Sequence, residues 1–207
     1  SSTMGGVSPI RRVVFSDFDD DRDVDFFALS DTAVHLYSNN RDGTFSDVAP
    51  TLGLPQIEAQ TLAAEDFDQD GYMDLVLATD TGTELWYNRA GMGFAQQQTV
   101  SLTDVKQLLS ADVDNDGDLD LWALGSDGAV LLSWYEGDFK KAERILEGSP
   151  AYPAVVADFD RDGRTDLWSA GKLVFNQTEG GRWVRIALQG LNSNRPGIGT
   201  KVEIKTE

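Results

Sequence analysis

The feature that most constrains this chain is an acidic nine-residue pattern that occurs four times. Its aspartates stand at positions 1, 3, 5 and 9, and the first positions, at residues 17, 66, 112 and 158, are 49, 46 and 46 residues apart. A fixed period of this length indicates that one structural unit is used repeatedly. The aspartates are Asp17, Asp19, Asp21 and Asp25; Asp66, Asp68, Asp70 and Asp74; Asp112, Asp114, Asp116 and Asp120; and Asp158, Asp160, Asp162 and Asp166.

These loops have the chemistry of a site for a hard cation. Four carboxylates so close in sequence repel one another unless a cation lies between them, and calcium prefers oxygen ligands of this kind. Position 6 is Gly71, Gly117 or Gly163 in three copies, and glycine adopts the positive φ that lets a loop wrap around an ion. The pattern predicts up to four Ca²⁺ sites, one per repeat.

Position 7 of the loop changes its residue type from copy to copy, as expected if it offers only its backbone carbonyl. We predict that it is a further ligand in each loop, and these residues are Asp23, Tyr72, Asp118 and Arg164. Copy one departs most from the pattern, because Arg22 occupies position 6. A non-glycine residue in the left-handed region costs about 1 kcal/mol, so we expect the weakest or most distorted site there.

Short apolar runs flank every acidic loop. They are too short for helices and have the length of strands: 13–15, 61–63, 108–109 and 154–156 before the loops, and 26–29, 75–78, 121–124 and 167–168 after them. Third runs follow at 34–37, 84–87, 130–132 and 173–175, and an aromatic residue marks a fourth strand at Phe45, Phe94, Phe139 and Trp183. The sequence therefore predicts an all-β chain of four repeats, each with four antiparallel strands, which is typical of β-propeller blades.

Helical alternatives fit less well. Residues 101–110 and 138–147 have some helical spacing, but the repeat register assigns strands to both. An EF-hand would need a glutamate at position 12, where Ala28, Leu77, Ala123 and Ser169 stand instead. The flanking strands exclude dockerin-type helical repeats for the same reason.

The four copies resemble the FG-GAP or VCBS calcium-binding repeats of integrin α-type propellers, and the turn at 37–45 is similar to the strand-joining loop of that family. The resemblance covers roughly residues 10–188 and implies the same ligand assignment at position 7. Residues 188–204 are similar to the start of an ASPIC/UnbV segment. We expect a linker or cloning remnant at 1–9, blades at about 10–50, 58–101, 104–148 and 151–188, and a truncated ASPIC/UnbV-like tail at 189–207.

Composition limits the possible functions. The 35 acidic and 17 basic residues give a formal charge of −18, which four Ca²⁺ would raise to about −10. Nucleic acid and anionic membranes are disfavoured as partners, because both would be repelled. The chain has no cysteine, so disulfides and cysteine zinc sites are excluded. His35 is the only histidine and alternates with apolar residues, which favours a structural role.

The expected function is that of a calcium-stabilised interaction module, secreted, extracellular or periplasmic, that binds a protein or matrix partner. No run approaches the roughly 20 apolar residues of a membrane span. No pair of acids is distinguished as catalytic, so we expect no enzyme activity and no catalytic residues. The alternative is a carbohydrate-binding or carbohydrate-processing propeller, although Trp86, Trp122, Trp134, Trp168 and Trp183 are expected to pack between blades. Self-association or missing blades are expected to complete the propeller.

Overall fold

A computed structural model describes residues 9–179, 183–184, 186–190 and 202. This part of the chain contains fifteen β-strands in four antiparallel sheets, with no helix. Each strand pairs with the next one along the chain, so every sheet is a simple meander. The predicted all-β, antiparallel class is confirmed for these residues.

The first three sheets have four strands each. The first contains β1 (Arg12–Ser16), β2 (Asp25–Leu29), β3 (Val34–Asn39) and β4 (Phe45–Asp47). The second contains β5 (Thr61–Glu65), β6 (Asp74–Ala78), β7 (Thr83–Asn88) and β8 (Phe94–Val100). The third contains β9 (Val105–Ala111), β10 (Asp120–Gly125), β11 (Gly128–Tyr135) and β12 (Asp138–Ile145). The two segments with helical spacing are therefore strands, as the repeat register predicts.

The fourth sheet has three strands: β13 (Ala154–Ala157), β14 (Asp166–Ser169) and β15 (Lys172–Val174). The prediction of a fourth strand around Trp183 is wrong for the residues described, because Trp183 and Val184 belong to no strand. Residues 180–182 and 185 lie outside the described part. So does the predicted tail at 189–207, apart from residues 189, 190 and 202.

Each inner sheet has two apolar faces because side chains alternate along a strand. We call the face toward the preceding sheet the leading face and the face toward the following sheet the trailing face. In β6, Leu75 and Leu77 lie on the leading face and pack with the first sheet, whereas Val76 and Ala78 pack with the third. The same alternation recurs in β10, where Leu121 packs against the second sheet and Trp122 against the fourth.

The acidic loops join the first two strands of each sheet, and their second residue reaches the following sheet. Phe18, Phe67 and Val113 are buried at this position. Phe159, at the same position of the fourth loop, is 44% exposed. The physical reason is that no described sheet follows the fourth one.

Two of the five tryptophans are exposed as well. Trp122 and Trp134 are buried between sheets and Trp86 packs against the first sheet, in agreement with the prediction. Trp168 and Trp183 are 41% and 52% exposed, so the expectation of packing between blades is wrong for them. Trp168 lies on the trailing face of the fourth sheet. The Trp183 indole lies against Gly163 in the fourth acidic loop.

Candidate metal centres in the acidic loops

The aspartate at position 1 organises the backbone of every loop. In the third loop, the N–H groups of Asp116 and Gly117 donate to the two carboxylate oxygens of Asp112, at 3.2 and 3.1 Å. Asp17, Asp66 and Asp158 accept the equivalent pair of bonds, at 2.9 to 3.1 Å. One carboxylate therefore fixes the turn of the loop, and this is the local reason why an aspartate begins each copy.

The aspartate at position 9 connects the loop to the sheet. Asp120 is buried and accepts from the Val113 N–H at 3.0 Å and from the Trp134 N–H of β11 at 2.9 Å. Its counterparts Asp25, Asp74 and Asp166 are also buried. They accept the same kind of bonds from position 2 of their loops and from the third strand or, for Asp166, from Asn176, which lies two residues after β15. These hydrogen bonds hold the position-9 carboxylates in place without a cation.

Two residues of each loop adopt positive φ. At position 6, Gly71, Gly117 and Gly163 have φ of 95°, 99° and 88°, as predicted from their type. Arg22 adopts φ of 71° at the same position, so the first loop keeps the shape at the expense of backbone strain. The positive φ at position 4 was not predicted; Asp20, Gln69, Asn115 and Arg161 all have φ between 56° and 67° there. Asp20 and Asn115 belong to types that favour this region, but Gln69 and Arg161 do not, so the four copies shared no common signal.

Carboxylate oxygens converge in all four loops. The groups whose ligand atoms lie within 4.8 Å of one another are Asp17, Asp19, Asp21 and Asp25; Asp66, Asp68 and Asp70; Asp112, Asp114 and Asp120; and Asp158, Asp160 and Asp166. Asp74, Asp116 and Asp162 are predicted ligands that these groups do not include. Each loop thus offers at least three hard oxygen donors in a space that suits one cation.

Two of the converging oxygens are buried and have no hydrogen-bond partner. They are the Oδ1 atoms of Asp19 and Asp114, both at position 3 of their loops. A buried carboxylate oxygen left without a donor is costly, because desolvation is not compensated. A bound cation would remove this cost at both positions.

Burial and mutual repulsion disfavour the charged forms of these carboxyls. Burial raises the pKa of Asp74 to about 7 and that of Asp120 to about 6, although backbone N–H donors oppose the shift. The pKa values of Asp19, Asp68 and Asp114 are also raised, first by burial and then by the carboxylate at position 5 of the same loop. A cation at the centre of each loop would oppose both effects and favour the charged forms.

The side chains at position 7 turn to neighbouring groups. Asp23 pairs with Arg41, which also approaches Asp21 at 3.3 Å. Asp118 accepts from the Gln69 amide at 2.7 Å, and Arg164 pairs with Asp162. These contacts agree with the expectation that position 7 contributes its backbone carbonyl and not its side chain. Tyr72, the fourth residue of this set, is half-buried.

A recurring asparagine of the third strand was not recognised from the sequence. Asn88 is buried, and its Nδ2 donates to the Met73 carbonyl at 3.2 Å and to the Phe18 carbonyl of the preceding loop at 2.7 Å. Asn176 makes the equivalent pair of bonds to Thr165 and Val113. Asn39 and Asn88 both stand 14 residues after the last aspartate of their loops, which is the signal that could have revealed them.

His35 is structural in its contacts. Its Nδ1 lies 2.7 Å from Asp47, and its Nε2 lies 3.2 Å from the Ser30 hydroxyl. The ring also packs against Tyr37, with centroids 5.9 Å apart. These contacts tie the third strand of the first sheet to its neighbours.

The FG-GAP-like repeat family matches the chain over three overlapping stretches, residues 17–77, 66–123 and 112–169. Each stretch runs from the start of one acidic loop to the second strand of the next repeat. The matches together span more than half of the chain, so this protein belongs to the FG-GAP-like repeat family. Among curated proteins, no relative matches the sequence.

Two solved structures are similar to this chain. The first is a lectin of Agrocybe aegerita described as recognising non-reducing terminal N-acetylglucosamine. It is 19% identical with a TM-score of 0.59, and the match covers 89% of this chain and 54% of the lectin. This chain therefore spans about half the length of that protein, and the likeness concerns the fold alone. The second, the V. cholerae biofilm matrix protein Bap1, has 18% identity and a TM-score of 0.46, with 82% of this chain and 29% of that protein covered.

Within the described residues, no helix is long and apolar enough to cross a membrane.

Proposed function

We propose that the four acidic loops bind calcium and that the bound ions stiffen a propeller-type array used for molecular recognition. The observation that carries this proposal is the convergence of three or four carboxylate oxygens within 4.8 Å at the same place in each repeat. The donors are all oxygens, and such a set suits Ca²⁺. The buried Oδ1 atoms of Asp19 and Asp114, which have no hydrogen-bond partner, fit the same ion.

The ligands would be the aspartates at positions 1, 3, 5 and 9 together with the carbonyl at position 7. When bound, calcium supplies positive charge beside the converging carboxylates. The aspartate at position 9 links the loop to the third strand, so an ion held by it would connect three strands of one sheet. The family match runs from residue 17 to residue 169 and includes all four acidic loops, which supports this assignment in every repeat.

The sheets are inferred to be blades of a propeller. Their first strands lie next to one another from sheet to sheet, β1 beside β5, β5 beside β9 and β9 beside β13. Successive sheets pack face to face through apolar clusters. Both features are expected when blades are arranged around a common axis with their first strands innermost.

Thermal unfolding with calcium and with a chelator tests the calcium proposal. A ligand that binds only the native state raises its stability by about 2.7 kcal/mol at a hundredfold excess over Kd. We expect the melting temperature to rise by several degrees in 2 mM Ca²⁺ relative to EGTA. Asp114→Asn should reduce this rise, because Asp114 contributes an oxygen that has no other partner.

The matched control is Asp127→Asn. Asp127 lies in an exposed hairpin turn outside the loops, and the substitution changes the net charge by the same amount. It should leave the calcium-dependent rise unchanged. If wild-type protein melts at the same temperature in calcium and in EGTA, the loops are turns and the calcium proposal fails.

The recognition role follows from the class of protein. FG-GAP repeats are typical of extracellular interaction modules, so we place this protein outside the cytoplasm and expect a protein or matrix partner. We infer no enzymatic activity. Pull-down of extracellular matrix components with the calcium-loaded protein tests this role, and binding that persists unchanged in EGTA would separate recognition from calcium.

Carbohydrate binding is the second candidate, favoured by the fold shared with the Agrocybe aegerita lectin. Exposed aromatic rings are the usual platforms for sugars, and Trp168 and Trp183 are available. A glycan array separates the two candidates. A signal that is lost on Trp183→Ala would favour carbohydrate, and no signal at any glycan would favour a protein partner.

A further inference from the structure

The turn between β7 and β8 lies against the first acidic loop. It is a tight hairpin turn in which the Met92 N–H donates to the Arg89 carbonyl at 3.0 Å. Its two central residues, Ala90 and Gly91, have φ of 52° and 71°. Positive φ at both central residues is typical of the turns that fit the twist of a hairpin, and glycine adopts it without steric cost. Backbone conformation is therefore one reason for a glycine in this turn.

Gly91 also lacks the space for a side chain. A Cβ atom added at Gly91 would lie 2.8 Å from the Cβ atom of Asp19 and 3.4 Å from its Cα atom. Carbon atoms that are not bonded pack best at about 3.5–4.0 Å, so the first of these distances is a steric clash. Because a Cβ atom is fixed by the backbone, Asp19 cannot relieve the clash by changing its rotamer. An alanine at residue 91 would have to move the loop or the turn.

Asp19 is the position-3 aspartate of the first loop and one of its four converging carboxylates. Its Oδ1 atom is buried without a hydrogen-bond partner. The turn of the second sheet thus packs directly on a candidate calcium ligand of the first repeat. A shift of Asp19 would change the distances among the converging oxygens, on which calcium coordination depends.

Asn88 connects the same turn to the same loop. Its Nδ2 donates to the carbonyl of Phe18, the residue directly before Asp19, at 2.7 Å. Its Oδ1 accepts from the Gly91 N–H at 2.9 Å. One buried side chain therefore fixes the position of Gly91 relative to the backbone that carries Asp19.

The third sheet provides an internal comparison. Gly137 follows Asp120 by 17 residues, as Gly91 follows Asp74, and has φ of 84° in the equivalent turn. A Cβ atom added at Gly137 would lie 3.7 Å from the Tyr87 hydroxyl, which is an ordinary contact distance. Both glycines suit the backbone of their turns, but Gly91 alone of the two is also required by the space beside a loop aspartate.

We propose that Gly91 is a positioning residue for calcium in the first loop, and that an ion bound there is coupled to the contact between the first and second sheets. This inference rests on the calcium binding proposed above and develops it. A turn that holds Asp19 in place before the ion arrives reduces the ordering that binding requires. Coupling of this kind is reciprocal, so an ion in the first loop should in turn stabilise the turn of the second sheet.

Hydrogen exchange measured by mass spectrometry, at free calcium from about 1 µM to about 10 mM, tests the proposal loop by loop. The readout is the calcium concentration that gives half of the amide protection in residues 17–25 and, in the same sample, in residues 112–120. Gly91→Ala should raise the midpoint of the first loop by about 10- to 100-fold, the usual contribution of groups that support metal ligands. The midpoint of the third loop should not change.

The matched control is Gly137→Ala. It places the same side chain on a backbone of the same kind, in the equivalent turn, without a clash against a loop aspartate. It should leave the midpoint of the first loop unchanged. Melting curves of both variants in EGTA report folding without calcium.

A reverse measurement does not require the Gly91 variant to fold. Calcium should slow amide exchange in the turn at residues 89–93 of the wild-type protein. Asp74 of the second loop binds the Asn88 N–H, so an ion in that loop contributes to this protection as well. Asp19→Asn should therefore reduce the protection without abolishing it. Asp114→Asn, the same change in the third loop, should leave it at the wild-type level.

Three results would overturn the proposal. One is an unchanged first-loop midpoint in Gly91→Ala, and another is an equal rise in Gly91→Ala and Gly137→Ala, which would indicate backbone strain alone. Turn protection that is indifferent to Asp19→Asn would also contradict it. In all three cases the wild-type loops still respond to calcium. If no loop of the wild-type protein responds, calcium binding itself fails, and the role of Gly91 fails with it.

Discussion

The two inner sheets and the two end sheets share one repeat pattern, yet they differ in burial. Every residue of β6 is buried, whereas Trp168 in the equivalent strand β14 is 41% exposed. Phe67 is 1% exposed and Phe159, at the same loop position, is 44% exposed. This difference shows that a repeat of this kind cannot bury both of its faces alone. Its stability comes from the neighbours on either side.

The largest expected effect compares the two phenylalanines at loop position 2. Phe67→Ala should cost about 3–5 kcal/mol, because it leaves a cavity among Trp134 and Phe139. Phe159→Ala should cost less than about 1 kcal/mol in the monomer, since no described sheet covers it. Urea unfolding of both variants at low protein concentration measures the difference. Equal losses would show that the fourth sheet is covered after all.

The recurring asparagine allows the same comparison at a polar contact. Asn88→Ala should cost about 1–3 kcal/mol, because it leaves the buried carbonyls of Phe18 and Met73 without donors. Asn39→Ala should cost less than about 1 kcal/mol, since Asn39 lacks the bond to a preceding loop. Chemical unfolding of the two variants measures these costs. The contrast fails if Asn39→Ala is as damaging as Asn88→Ala.

Backbone strain should distinguish the first loop from an inner loop by a smaller difference in the free energy of unfolding. Arg22→Gly should stabilise the protein by about 0.5–1 kcal/mol, because it removes a side chain from a left-handed residue with φ of 71°. Gly117→Arg should destabilise it by about 1 kcal/mol at φ of 99°, although open space surrounds Gly117. Measurements in EGTA keep calcium out of both values. The two substitutions should change the free energy of unfolding in opposite directions. Changes in the same direction would contradict the strain at Arg22.

The inner loops should also make the free energy of unfolding depend on pH. Folding raises the pKa of Asp74 to about 7 and that of Asp120 to about 6, so the folded state binds more protons than the unfolded state between about pH 4 and 7. Stability without metal is therefore greatest below about pH 4, as far as these groups contribute, and falls as the pH rises toward 7. Unfolding in EGTA at pH 5 and pH 8 measures the fall, which Asp74→Asn should reduce.

Calcium should reverse this trend, because it binds the deprotonated carboxylates. The calcium-dependent rise in melting temperature should consequently be larger at pH 8 than at pH 5. A rise that is independent of pH would mean that the buried aspartates do not participate.

The repeat pattern predicted most of the fold because its period and the alternation of apolar residues leave few arrangements. Strands β9 and β12 are correct for this reason, although their segments have helical spacing. The aspartate clusters were likewise readable, since Asp112, Asp114 and Asp120 converge as their spacing indicates.

The exposure and the contacts of individual residues depend on their neighbours in the fold, which a repeat pattern does not specify. Phe159 and Trp168 have the same pattern as their buried equivalents but lack a neighbouring sheet. The left-handed residues at position 4 were missed because Gln69 and Arg161 are not types that favour that region. The cross-repeat role of Asn88 requires knowledge of which carbonyl faces it.

The most direct test of the central claim is a crystal structure of the protein grown in 2 mM Ca²⁺, with anomalous difference maps. We predict a peak in each acidic loop, with oxygens of the position-1 and position-3 aspartates at about 2.3–2.6 Å from it. Well-ordered loops without peaks, with Asp19 and Asp114 turned toward solvent, would contradict the account.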